Sequence, residues 1–187
     1  MRPTDFRIRQ AVNLIAAGAV VAYPTEAVWG LGCDPWNEDA VDRLLRLKQR
    51  DPAKGLILVA ADIQQFDWLL RDLPQAQRSR LELSWPGSTT WLVPHQGRVP
   101  HWVCGQYDSV ALRVSAHPVV RKLCQAWAGP LVSTSANVAG GQPAREQFQL
   151  WRYFGDGLDG LVPGCLGAAE RPSMIRDLCS DNIIRQA

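Results

Sequence analysis

Short apolar runs alternate with amphipathic stretches along most of this chain. From Asp5 to Ala17, Ile8, Ala11, Val12, Leu14 and Ile15 form one helical stripe. Thr4 or Asp5 can cap that helix and Gly18 stops it. Ala19 to Tyr23 is apolar throughout and predicts a buried strand ended by Pro24. Asn37 can cap a second helix, with Val41, Leu44, Leu45 and Lys48 at helical spacing. A strand is expected from Leu56 to Ala61, then a helix capped by Asp62 and running toward Leu70. Pro74 and the Pro86-Gly87 pair bracket another helical segment. Thr89 to Val93 and Val110 to Val114 read as strands, and His117-Pro118 opens a helix through Trp127. Leu131 to Thr134 is a further strand. A helix from about Arg145 to Phe154 and strands near Leu158 to Val162 and Met174 to Leu178 complete the pattern. Helices and strands alternating in this way predict an α/β fold with a mixed sheet. No repeat or linker divides residues 1–187, so a single domain is expected.

Composition changes this picture little. The 187 residues suffice for a sizeable core, and an apolar content of 47% is ordinary. No apolar run can span a bilayer. The charged start MRPTDFRIRQ lacks a signal-peptide core, so no membrane and a cytoplasmic location are expected. Five scattered cysteines without Cys-x-x-Cys spacing favour free thiols, and the three histidines show no metal-ligand spacing. No metal site is predicted. A net charge of +2 is too small to argue for nucleic acid from the whole chain.

Candidate chemistry sits in four stretches. LKQRDPAKG, Leu47 to Gly55, puts Lys48, Arg50 and Lys54 on a loop between a helix and a buried strand. Such a loop can hold phosphates, although cations also offset the dipole at a helix C-terminus. In SVALRV, alternation puts Ser109, Ala111, Arg113 and Ser115 on one strand face. A mid-strand Arg needs a partner. That partner is a structural Asp or Glu, or a ligand carboxylate or phosphate held by the guanidinium fork. STSAN, Ser133 to Asn137, ends a strand in hydroxyls and an amide, which fits either a ligand site or a cap. PTEAVWGLG, Pro24 to Gly32, ends a strand at Thr25 and Glu26 before a Gly-x-Gly bend. Glu26 has three readings there: a base, a magnesium ligand or a salt-bridge partner. There is no Walker loop, no Gly-x-Gly-x-x-Gly and no Gly-x-Ser-x-Gly elbow. The residues thus predict a pocket for an anionic, nucleotide-like ligand without naming a reaction.

PTEAVWGLGCDP, LKQRDPAKGLILVAA, SWPGSTTWLVP, DSVALRVSAHPVV and PLVSTSANVAG occur in this order. Together they resemble the YrdC/TsaC family over nearly the whole chain. The resemblance implies a twisted open sheet with helices around a basic concave cavity, in a short form without an added C-terminal domain. It implies condensation of L-threonine, bicarbonate and ATP into threonylcarbamoyl-adenylate and pyrophosphate. Magnesium would accompany ATP, with no tightly bound cofactor. Downstream proteins would then transfer the group to adenosine 37 of tRNAs reading codons that begin with A.

The resemblance also implies roles. Lys48 and Arg50 would be catalytic and, with Lys54, would face ATP phosphates. Ser109, Ser133, Ser135, Asn137 and Arg185 would contact ATP. Thr25, Arg113 and Ser173 would contact threonine. Gly55 stands where many relatives have Pro, which should loosen the loop. Ser88 stands where Pro-Gly-Pro is usual, away from the cationic and hydroxyl set. Two rival readings are a non-catalytic protein gripping tRNA or another RNA in the basic cavity, and a carbamoyl transferase like the domain in hydrogenase-maturation proteins.

Overall fold

A computed structural model describes residues 3–186. Its elements are α1 (Pro3–Ala16), β1 (Val21–Pro24), β2 (Trp29–Gly32), α2 (Glu38–Lys48), β3 (Ile57–Ala60), α3 (Asp67–Leu70), α4 (Gln75–Ser84) and β4 (Thr89–Pro94). They continue with α5 (His101–Cys104), β5 (Ser109–Val114), α6 (Pro118–Trp127), β6 (Leu131–Ser135), α7 (Gln147–Phe154), β7 (Gly160–Leu161), β8 (Met174–Asp177) and β9 (Ile183–Arg185). One mixed sheet joins all the strands in the order β7-β1-β2-β6-β3-β5-β4-β8-β9.

Part of the expected punctuation acts where it was placed, and Thr4 and Asp5 do not cap α1. Asn37 accepts from the Ala40 amide and starts α2. Asp62 accepts from the Gln65 amide, but it opens a 3-10 turn ahead of the short α3 rather than one helix. Thr4 and Asp5 fall inside the first turn of α1, and the residue ahead of it lies outside the described residues.

Three elements depart from the expectation. The Gly-x-Gly of WGLG is a strand, not a bend, and pairs antiparallel with β1. Its glycines answer a close approach. A Cβ on Gly32 would lie 2.4 Å from the Val132 carbonyl and 2.7 Å from the Tyr23 hydroxyl. The α5 turn and β9 are too short to show a periodicity.

Strand alternation splits the core in two. Val21, Tyr23, Val59 and Leu131 face α1 and α6, while Ala22, Leu58, Leu112 and Val132 face the opposite cluster with α2 and α4. On the α1–α6 face, the strands around β5 are left uncovered by helix. Register aligns Ser133, Ile57, Ala111 and Leu92 in one row across β6, β3, β5 and β4. Each of these residues lines a cavity of about 460 Å³. Small side chains at two positions of the row give the floor its depth.

Candidate nucleotide and amino-acid cavity

The cavity wall is assembled from distant segments. Thr25, Arg50, Lys54, Ser109, Arg113, Ser133, Ser135, Ser173 and Arg185 all line it. Nine of the eleven residues to which the resemblance gives ligand roles are therefore brought together. Lys48 and Asn137 are not on the wall.

Lys48 is buried behind it. Its Nζ donates to the Asn137 carbonyl at 2.8 Å and to the Ser135 carbonyl. The Ala139 amide returns a bond to the Lys48 carbonyl at 2.8 Å. Burial, reinforced by nearby Arg50, lowers the Lys48 ammonium to about 8. Asn137 is equally committed. Its Oδ1 accepts from the Ser135 hydroxyl at 2.6 Å, and its Nδ2 donates to the Val138 and Gly141 carbonyls. These two side chains lace the end of α2 to the turn after β6 and aim the Ser135 end of that strand at the cavity.

Arg50 leaves α2 through Gln49, which holds the left-handed conformation at φ 51°. One guanidinium nitrogen donates to the Gly55 carbonyl at 2.8 Å. Its Nε is buried without a protein partner, a donor that an anion can satisfy. Burial pulls the Arg50 guanidinium down from its ordinary value.

The loop beyond Arg50 is held, not loosened. Gly55 has φ +60°, which proline cannot adopt. A Cβ there would lie 2.8 Å from the Cys104 carbonyl. Leu56 and Gln106 amides tie both sides of the loop to α5 and its neighbours. Ser88, expected to stand apart, also lines the cavity.

At the other end, Arg113 donates to Glu26 at 2.9 Å. Of the three readings for Glu26, the salt bridge is the one formed. The other carboxylate oxygen accepts from the Ser115 hydroxyl at 2.6 Å and the Ala116 amide at 3.2 Å. Burial works to raise the Glu26 carboxyl, but Arg113 and these bonds more than offset it and hold it below the usual value. Next to it, the Ser115 hydroxyl also accepts from the His117 amide. His117 is buried, its imidazole is lowered by that burial, and its Nε2 donates to the Cys165 carbonyl.

The tail closes the third side. Ser173 shares a 2.8 Å bond with buried Thr90 through their hydroxyls, and the Ser173 carbonyl accepts from Arg185 at 2.6 Å. Burial lowers Arg185, with Arg113 and Arg50 adding repulsion. Arg171 and Tyr107 also line the wall and were not singled out in the sequence. The positions of both, one beside Pro172-Ser173 and one just ahead of Ser109, were the available signals.

Among the described residues, no group of three or more His, Cys, Asp and Glu side chains can hold a metal ion. No helix among them is long and apolar enough to cross a membrane.

The fold and this wall define a class: an α/β protein whose concave, cation- and hydroxyl-lined cavity suits a polyanion together with a small carboxylate. The family model Sua5_yciO_yrdC, described as telomere recombination, matches residues 13–187. The chain belongs to the Sua5/YciO/YrdC family. It is 56% identical over 183 residues to a threonylcarbamoyl-AMP synthase of Stutzerimonas stutzeri strain A1501, covering 98% of both chains. It is 56% identical over 182 residues to the protein of that name in Pseudomonas entomophila strain L48, covering 97% of this chain and 98% of that one.

Among solved structures, P. abyssi Sua5 complexed with L-threonine superposes with a TM-score of 0.86 at 29% identity. The match covers 92% of this chain and 51% of that protein, so the chain spans about half its length. E. coli YciO shares the fold, with a TM-score of 0.85 at 22% identity over 97% of this chain and 89% of that one.

Proposed function

We propose that this protein is a threonylcarbamoyl-AMP synthase, converting L-threonine, bicarbonate and ATP into threonylcarbamoyl-adenylate and pyrophosphate. One observation carries the reading. Arg50 and Lys54 from one loop, Arg113 from β5 and Arg185 from β9 converge on one cavity beside the Ser109, Ser133 and Ser135 hydroxyls. The name borne by relatives at 56% identity supports the same reading. Those relatives lend no support to a non-catalytic RNA-binding role.

The chemistry suits such a wall. Threonine amine and bicarbonate give a carbamate with loss of water. A carbamate oxygen attacks the α-phosphorus of ATP, and pyrophosphate leaves. Charge spreads over phosphate oxygens, so positioned cations supply most of the stabilisation and no protein nucleophile is required. Arg50 and Lys54 take the phosphates, with the orphaned Arg50 Nε as one donor. Ser109, Ser133 and Ser135 hold the nucleotide. Arg113 takes the threonine carboxylate on the donors that Glu26 leaves, near Thr25 and Ser173. Lys48 and Asn137 act through the wall as positioning residues. Magnesium would come with ATP rather than be held by the wall, since Glu26, the one carboxylate among its described residues, is already paired. The product passes in the cytoplasm to proteins that modify tRNA.

The test is a reaction of purified protein with ATP, magnesium, bicarbonate and threonine, followed by mass spectrometry, with serine as control. Threonine-dependent pyrophosphate together with the threonylcarbamoyl-adenylate mass is expected. Nucleotide binding with no such product would overturn the reading.

A further inference from the structure

Among the described residues, the cavity wall carries five cationic side chains, Arg50, Lys54, Arg113, Arg171 and Arg185, and one carboxylate, Glu26. An ion pair that served only to bury Arg113 could lie anywhere in the core. This one lies at the cavity surface, with 16% of the Glu26 side chain and 11% of the Arg113 side chain exposed.

A carboxylate has about four acceptor positions. At Glu26, Oε1 is taken by the Ser115 hydroxyl and the Ala116 amide, whereas Oε2 accepts only from Arg113. The remaining acceptor capacity is therefore on Oε2, beside the guanidinium. The residue is also firmly placed. Its carbonyl accepts from the Ala169 amide at 3.0 Å. Gly167 lies so close that a Cβ there would come within 2.8 Å of the Glu26 Cα.

We infer that Glu26 and Arg113 together form a two-charge plate that takes an α-amino acid as its zwitterion, the substrate α-ammonium on Glu26 Oε2 and its carboxylate on the outer donors of Arg113. This rests on the amino-acid substrate proposed above. An ammonium among these five cations finds no other counter-charge among the described residues of the wall, and like charges within a few ångströms repel. The reverse orientation would set the substrate carboxylate against Glu26. The plate therefore fixes the direction in which the amino acid lies. It holds the nitrogen that becomes the carbamate, and it disfavours carboxylates that lack an amine, because they leave the remaining acceptor position of Oε2 unfilled.

Calorimetric titration tests this, with a non-hydrolysable ATP analogue and magnesium present throughout. The ligands are L-threonine and its deaminated analogue, β-hydroxybutyrate. Wild-type protein should prefer threonine by roughly 10- to 100-fold, the range for one hydrogen bond to a charged group. In Glu26→Gln that preference should largely vanish, and in Glu26→Asp it should persist. Equal weakening of both ligands in Glu26→Gln would mean that Glu26 merely positions Arg113, and would overturn the inference while leaving the amino-acid site standing. Wild-type protein that binds both ligands alike overturns it without any variant. Wild-type protein that binds neither overturns the amino-acid reading and this inference with it.

Discussion

Lys48 shows how a residue can matter to a site it does not touch. Its ammonium satisfies the Asn137 and Ser135 carbonyls behind the wall. Lys48→Met takes the ammonium from both carbonyls and leaves the Ser135 one with only the Asn137 amide, so the fold should lose about 1–3 kcal/mol and adenylate formation should fall to background. Urea unfolding and a pyrophosphate assay read the two effects. Undiminished turnover would remove Lys48 from the machinery. Arg113→Ala separates the ligands differently: threonine binding should be lost while ATP binding is kept, as read by titration with each. Equal loss of both would sink the carboxylate role.

Glu26 makes a prediction of its own in acid. Its native carboxyl is held below the ordinary 4.5, so the unfolded chain takes up this proton first as pH falls. The stability it contributes is present above about 4.5 and is lost as pH drops through the native value. Glu26→Gln should lose less stability than wild type between pH 5 and pH 3, the span in which carboxylates titrate. Parallel pH profiles in urea unfolding would contradict the assigned pairing.

At the scale of elements, the β1–β2 hairpin depends on what its glycines lack. Gly32→Ala brings a Cβ against the Val132 carbonyl and Tyr23, neither of which can give way cheaply. A destabilisation of about 1–3 kcal/mol is expected for such overpacking, measured by denaturant unfolding. An unchanged midpoint would refute the close approach. This hairpin was also the least legible element in the sequence. Two glycines in WGLG look like a bend when only local freedom is considered, yet both lie in extended strand, Gly32 under the Val132 carbonyl and Gly30 against the Thr25 and Tyr23 side chains. Gly55 is the converse case. Its positive φ suits a turn, but the turn is made firm by packing against α5, which no local pattern reveals. The stripes of α1 and α2, by contrast, were legible because an amphipathic helix writes its buried face directly into residue spacing.

Over the whole molecule, the guanidinium groups of the loop after α2 and of β5 both repel the one on β9. The cavity is thus assembled against its own repulsion, and a polyanion relieves it. Arg185→Ala should leave the free protein within about 1 kcal/mol of wild type, an ordinary effect away from the core, but should sharply reduce the rise in melting temperature that ATP produces. Thermal melts with and without nucleotide decide it. An undiminished rise would take β9 out of the site.

The sequence alone determined the alternation of elements, the caps at Asn37 and Asp62, the face of β5 that carries Arg113, and the residue types able to hold an anion. Those features depend on spacings of a few residues and on the chemistry of single side chains. Tertiary structure decided the rest. Sheet order and register put Ser133, Ile57, Ala111 and Leu92 in one row. They paired Arg113 with Glu26, 87 residues away, and withdrew Lys48 and Asn137 behind the wall while drawing Arg171 and Tyr107 onto it. The physical reason is that partners so distant along the chain are chosen by how the strands cross and by which faces remain uncovered by helix. Neither is written in any local pattern.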